Sequence, residues 1–169
     1  LADGSSAIGA KVITVFPGND ATPYDSHIGV VLCFDDTSGR LLAIIDASSV
    51  TAIRTAAVSG LATRLLAVPH AWDLAILGAG THLEAMLAVR PITRVRIWSR
   101  GASRCASFVR WAQQRFGVTV EVCDSAVSAV RSAQVVCTVT AAREPVLRGA
   151  WLSPGVHVTA VGACIPGAR

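Results

Sequence analysis

The sequence predicts an α/β protein: a parallel sheet buried on both faces, preceded by a smaller segment of mixed α and β structure. The first observation behind this is a change of rhythm near residue 70. From Asp73 onward, apolar strand-like runs at 74–77, 95–98, 118–122, 135–139 and 156–161 alternate with helical patterns at 81–89, 103–116 and 125–131. Short apolar strands joined by helical crossovers belong to a parallel sheet, because each crossover lays a helix over one of its faces. The second observation is the order of elements before that point, where strands at 10–16, 29–34 and 41–45 follow one another and a single long helix closes the segment.

Each element has its own signal. The stretch Pro17-Gly-Asn-Asp-Ala-Thr-Pro23 is rich in turn formers and ends the first strand. Asp35-Asp-Thr-Ser-Gly-Arg40, between the second and third, has the Asp and Gly content of a hairpin loop. Asp46 or Ser48 caps a helix over about 49–67, where Val50, Ile53, Ala57, Leu61 and Leu65 recur at three- and four-residue spacing, and Pro69 lies just past its end. The boundary between the two segments is therefore placed near 68–71, dividing the chain into residues 1–68 and 69–169.

At 169 residues, 52% of them apolar, the chain can bury a substantial core. Asp, Arg, His or Pro interrupts every candidate run of ~18 apolar residues, so the hydropathy is that of buried strands and no membrane partner is expected. The opening Leu1-Ala-Asp-Gly-Ser-Ser lacks the basic and apolar regions of a signal peptide, and the chain ends at Arg169 before a helix can cover the last strand. Both ends read as cuts within a longer protein. The five cysteines, at 33, 105, 123, 137 and 164, have no C-x-x-C spacing and mostly apolar neighbours, which suits reduced thiols in the cytoplasm. The net charge of +4 rests on fourteen arginines and Lys11, spread along the chain without interleaved aromatics, so no nucleic-acid groove is expected. His27, His70, His82 and His157 have no metal-ligand spacing, and neither paired carboxylates nor a Gly-x-Ser-x-Gly elbow is present. His82 is read as helix surface, with an approach to a phosphate as the alternative.

The chemistry-bearing motif is Leu74-Ala-Ile-Leu-Gly78-Ala79-Gly80-Thr81, an apolar strand running into Gly-x-Gly at a helix start. Gly78 makes the tight turn, and Gly80 lets the backbone approach a pyrophosphate held by helix N-terminal amides, the arrangement of a Rossmann dinucleotide fold. A plain βα turn is the competing reading. Leu83 occupies the place where the fingerprint has a third small residue. The next strand ends in Trp98-Ser99-Arg100 with no acid to grip the ribose hydroxyls of NAD. A hydroxyl and a guanidinium suit the 2′-phosphate of NADP, so NADP(H) is expected, with NAD(H) as the alternative and a solvated Arg100 as the bland reading. Thr138, Val139 and Thr140, and then Val161 and Gly162, end later strands at the carboxyl edge where such folds bind ligands.

Several stretches taken together resemble the ornithine cyclodeaminase and mu-crystallin family, which includes ketimine reductases. They are Lys11-Val-Ile-Thr-Val-Phe-Pro17-Gly-Asn19, Arg54-Thr-Ala-Ala-Val-Ser59, Leu77-Gly-Ala-Gly80, Cys137-Thr-Val-Thr140 with Glu144-Pro145, and Val161-Gly-Ala-Cys-Ile-Pro-Gly167. They cover nearly the whole chain in order, and their joint spacing makes the match specific. The resemblance implies an NAD(P)-binding Rossmann domain over 69–169. Over 1–68 it implies part of an α+β substrate-binding and dimerisation domain that the family builds from both chain ends. The whole protein would then be a homodimer, with further carboxylate-binding and C-terminal segments outside this stretch. Where the family usually reads Gly-Ala-Gly-x-Gln-Ala-x-x-His-Leu-Glu-Ala, this chain reads Gly78-Ala-Gly-Thr-His-Leu-Glu-Ala85, four residues shorter. Four residues shorten a helix by about 6 Å and turn its remaining face by only about 40°, so Leu83 and Leu87 still face the sheet.

By the same resemblance Lys11 and Arg54 clamp the carboxylate of a small imino or amino acid, Lys11 also serving as proton donor. A solvated surface position is the ordinary reading of each. Val161 and Gly162 lie near the nicotinamide, with plain strand-to-loop geometry as the competing reading. Cyclodeaminases of the family carry a catalytic Asp where this chain has Cys164, read here as a structural thiol. That favours reduction of a C=N bond over an NAD-using ornithine cyclodeaminase. A non-catalytic nucleotide-binding module is the reading from another class, prompted by the shortened loop.

Overall fold

The computed structural model describes residues 6, 8–16, 18–19, 22, 24, 27–78, 82–140 and 142–162. The chain divides into two compact units, Leu1–Thr55 and Ala56–Arg169, and the division falls inside the long helix.

In the first unit β1 (Ile8–Val15), β2 (His27–Phe34) and β3 (Leu41–Asp46) form an antiparallel sheet in that order. The β2–β3 hairpin closes through Asp35, whose amide donates to the Arg40 carbonyl at 2.9 Å and whose carboxylate accepts from the Ser38 amide and hydroxyl, both at 2.7 Å. Those bonds favour the charged carboxylate and hold Asp35 below its usual pKa. Helix α1 (Ala47–Leu66) follows β3 at once. Of the two caps expected, Asp46 is the one used: its carboxylate accepts from the Ser49 amide at 2.7 Å and the Ser49 hydroxyl at 2.8 Å.

The second unit holds the parallel sheet, in the order β6-β5-β4-β7-β8, built from β4 (Asp73–Leu77), β5 (Arg94–Trp98), β6 (Val120–Val122), β7 (Val135–Thr140) and β8 (His157–Gly162). Helices α2 (Leu83–Val89), α3 (Ala102–Phe116) and α4 (Ala126–Val130) connect them, with a single 3-10 turn at Gly149–Trp151. The chain steps outward from β4 to β6, then returns to the other side of β4 for β7 and β8. This reversal is the switch point at which doubly wound sheets open a ligand crevice.

Alternation along β4 sorts the core into two layers. Leu74 and Ile76 face a cluster that includes Ala67, Leu83, Met86, Cys105 and Phe108. Ala75 and Leu77 face Ala126, Ala129, Val130 and Val136. Leu83 and Met86 are fully buried, with Leu87 packed against their cluster, so α2 lays its apolar face on the sheet. Each such side chain contributes about 1.5–3 kcal/mol by leaving water.

The apolar stripe read from sequence on α1 is not the buried one. Ile53 and Leu65 are 72% and 69% exposed, whereas Ala56, Ser59, Thr63 and Ala67 are buried. The reason is a close helix contact: a Cβ at Gly60 would stand 3.1 Å from the Ala85 Cβ, so small residues set the approach of α2. At the same junction Thr63 Oγ1 donates to the Met86 sulfur at 3.3 Å and lies 3.4 Å from Thr159 Oγ1, which lies 3.1 Å from His157 Nε2. Because a thioether only accepts, Thr63 is the donor in that first contact. Arg90 closes the end of α1 by donating to the carbonyls of Arg64 at 2.9 Å, Ala67 at 2.7 Å and Val68 at 3.0 Å.

On the other face, buried Arg96 grips Asp73 with Nη2 at 2.8 Å from both carboxylate oxygens and Nε at 3.2 Å. Its Nη1 donates to the Arg131 carbonyl at 2.6 Å, just past α4. Both side chains are 3% exposed, so neither charge can be left alone without a large desolvation cost. Asp73→Asn or Arg96→Met alone should lower unfolding free energy by about 3–5 kcal/mol. Urea titration of both single variants and the double variant checks this, with the double losing less than the sum of the singles.

Candidate functional site

The carboxyl edge of the parallel sheet collects most of the residues singled out in the sequence. The Gly78 amide, at the end of β4, donates to the Trp98 carbonyl at 2.8 Å, which places the glycine turn beside Ser99 and Arg100. Gly78 has φ +110°, and a Cβ there would meet the Val139 carbonyl oxygen at 2.8 Å and the Thr140 methyl at 3.1 Å. Only glycine allows this turn to lie against the end of β7. Parallel pairing sets Val139 opposite Val161 and Thr140 opposite Gly162. Thus Gly78, Ser99, Val139, Thr140, Val161 and Gly162 share one edge, at the switch point of the sheet. Ala79, Gly80, Thr81 and Cys164 lie outside the described residues.

Thr138 adds an observation of a different kind. It is 2% exposed, and its Oγ1 has no hydrogen-bond partner among the described residues. A buried hydroxyl without a partner carries a cost of roughly 1–3 kcal/mol, so such groups call for an explanation. Arg100 is exposed and Ser99 half-buried at the end of β5.

The second cluster lies in the first unit. Lys11, on β1, donates from Nζ to Thr51 Oγ1 at 2.6 Å, and Thr51 in turn donates to the Ala47 carbonyl at 2.6 Å. Arg54 follows Thr51 by three residues on α1, a spacing that makes the two neighbours on one helix face. Lys11 thus lies against α1 at Thr51, three residues before Arg54. The sequence does not single out Thr51, whose place in this cluster comes from a partner forty residues away.

His82 corrects a sequence expectation. It is 5% exposed rather than on the helix surface, and neither ring nitrogen has a partner among the described residues. Helical spacing explains this: His82 stands four residues before fully buried Met86, and its carbonyl accepts from the Met86 amide at 3.2 Å, so both lie on the inward face. Burial lowers the pKa of His82, and burial followed by the nearby Arg90 lowers that of His157.

The family becomes apparent from the whole chain. The sequence profile of the ornithine cyclodeaminase/mu-crystallin family matches residues 2–169. The chain belongs to that family. Among its relatives, ketimine reductase mu-crystallin of Mus musculus is 42% identical over 164 residues, 95% of this chain and 51% of that one. The Delta(1)-pyrroline-2-carboxylate reductase of a Bacillus cereus strain is 37% identical over 170 residues, 98% of this chain and 52% of the relative. The Thermococcus litoralis Delta(1)-pyrroline-2-carboxylate reductase, solved with NADH and L-proline, superposes with a TM-score of 0.91 at 30% identity. That superposition covers 96% of this chain and 52% of that one. The chain thus spans about half the length of the relatives it matches. Its described residues contain no helix long and apolar enough to cross a membrane.

The two depressed imidazoles give a pH dependence of definite sign. Their folded pKa values lie below the unfolded value of 6.5, so the folded state binds fewer protons there and stability is lost as pH falls below 6.5. Asp35 and Asp46, whose pKa values lie below 3.8, act only in the more acidic range. Denaturant midpoints should therefore fall between pH 7.5 and 5.5, and His82→Met should reduce that fall.

Proposed function

We propose that this chain is the dinucleotide-binding part, with part of the substrate-binding domain, of an NAD(P)H-dependent oxidoreductase. The enzyme reduces the C=N bond of a small imino acid such as a cyclic α-imino carboxylate. The single observation that carries this reading is the glycine turn at Gly78, seated against the end of β7 at the switch point of a parallel sheet, in a chain of this family. Two structural features suit a dinucleotide at that edge. One is the Cβ-free approach at Gly78; the other is the buried, unpartnered Thr138 hydroxyl, which a ribose hydroxyl can satisfy.

In this reading Gly78, Ala79, Gly80 and Thr81 hold the pyrophosphate through backbone amides. Thr138, Val139 and Thr140 contact the ribose, and Val161 and Gly162 border the nicotinamide. When bound, the cofactor supplies the hydride. Ser99 and Arg100 favour NADPH, since a guanidinium and a hydroxyl can bind a 2′-phosphate and no acid occupies the position that would grip a free ribose diol. NADH is the alternative cofactor, as in the complex of the archaeal relative. Lys11 and Arg54 hold the substrate carboxylate, Arg54 as a planar fork and Lys11 as a point charge. The imine nitrogen must carry a proton for the carbon to accept a hydride, and Lys11 Nζ is the group that keeps or returns that proton. The full-length protein is read as a cytoplasmic homodimer; the free thiols Cys33, Cys105, Cys123 and Cys137 suit that compartment.

Fluorescence titration with NADPH and NADH, followed by an absorbance assay on cyclic α-imino acids, tests the reading. Binding with turnover is expected. Binding without turnover would make the chain a nucleotide-binding module instead, and the absence of binding would overturn the assignment. Arg100→Ala should weaken NADPH by about 10- to 100-fold while leaving NADH nearly unchanged. Equal losses for both cofactors would remove the NADPH preference.

A further inference from the structure

We infer that Thr51 is a positioning residue for Lys11, fixing the direction in which the Lys11 ammonium presents its remaining protons. This rests on the substrate role proposed for Lys11 and adds a residue to it.

Thr51 has one hydroxyl proton, and it is committed to the Ala47 carbonyl at 2.6 Å, a group that can only accept. Toward Lys11 the hydroxyl therefore offers a lone pair and nothing else. The 2.6 Å contact must then be a donation from Nζ to Oγ1, in the charged and the neutral form of the lysine alike. Had the Thr51 proton been free to rotate, a neutral amine could have turned its lone pair toward Thr51 and hidden it. With that proton held by the backbone, one N–H stays on Thr51. The other positions of Nζ, including any lone pair, face away from it. The proton that Lys11 exchanges with a substrate is thereby confined to one side.

Placement on α1 reinforces this. Ala47, the acceptor, is the first residue of α1, so the helix start that Asp46 caps also fixes the Thr51 rotor. Hydrogen bonds in series polarise one another, and the Ala47 carbonyl strengthens Thr51 as an acceptor for the cation. Arg54 is one turn further along, so a carboxylate resting on Arg54 meets a lysine whose flexible stem has been anchored on the same face. A lysine alone pays a large rotamer entropy to hold one geometry, and the anchor at Thr51 supplies that geometry beforehand.

Thr51→Val removes the acceptor with little change of shape; Thr51→Ser retains it. Expected for Thr51→Val are a KM for the imino acid raised and a kcat lowered, together about tenfold in kcat/KM. NADPH affinity and the thermal midpoint should stay near wild type, and Thr51→Ser should restore most of kcat/KM. A Thr51→Val enzyme as active as wild type would overturn the inference. So would a Thr51→Ser enzyme as impaired as Thr51→Val. The proposed reduction itself is judged on the wild type. If that shows no turnover, binding of L-proline is followed through the Lys11 side-chain resonances by NMR. Weaker binding in Thr51→Val but not in Thr51→Ser supports the role of Thr51, and equal binding in all three overturns it.

Discussion

The contact on which the rest depends is the one that Gly78 makes with its two neighbouring strands. Its amide is bonded to the end of β5, and its missing side chain lets the turn lie against the end of β7. Those are the strands on either side of β4, and they leave it in opposite directions through the sequence. A turn pressed into that point brings residues far apart in the chain to one edge, and any larger residue would strike backbone rather than a yielding side chain.

Below that edge the structure is held by different means on its two faces. One face relies on apolar packing by α2 and α3, with Gly60 and Ala85 small enough to let α1 and α2 close on each other. The other adds to its apolar layer around α4 a buried ion pair, with Arg96 bound both to Asp73 and to the Arg131 carbonyl just past α4. The seven residues of α2 suffice for this packing, because Leu83 and Met86 both reach the same apolar layer.

Much of this was legible in the sequence because its signals were local. The strands of the parallel sheet are bounded apolar runs, a cap at Asp46 or Ser48 follows from their side-chain oxygens, and the glycine turn follows strand residues directly. What escaped was set by tertiary contacts. The α1 stripe of Ile53, Leu61 and Leu65 has correct helical spacing, but small residues pack inward and the stripe is left exposed. His82 reads as a surface residue until the fold sets it one turn before buried Met86. Thr51 has no signature of its own, since its value lies in a partner forty residues away. The arginines cannot be sorted by sequence either, because Arg90, Arg96 and Arg100 look alike and serve as a helix cap, a buried ion and an exposed edge residue.

The seat of a dinucleotide decides what this sheet edge does. Amide NMR spectra of the chain recorded during titration with NADPH address this most directly. The shifts should concentrate at Gly78, Ser99, Arg100 and Thr138–Thr140, with Asp73, Arg96 and Arg131 at the opposite side of the sheet unmoved. Shifts confined to that opposite side, or none at saturating NADPH, would contradict it.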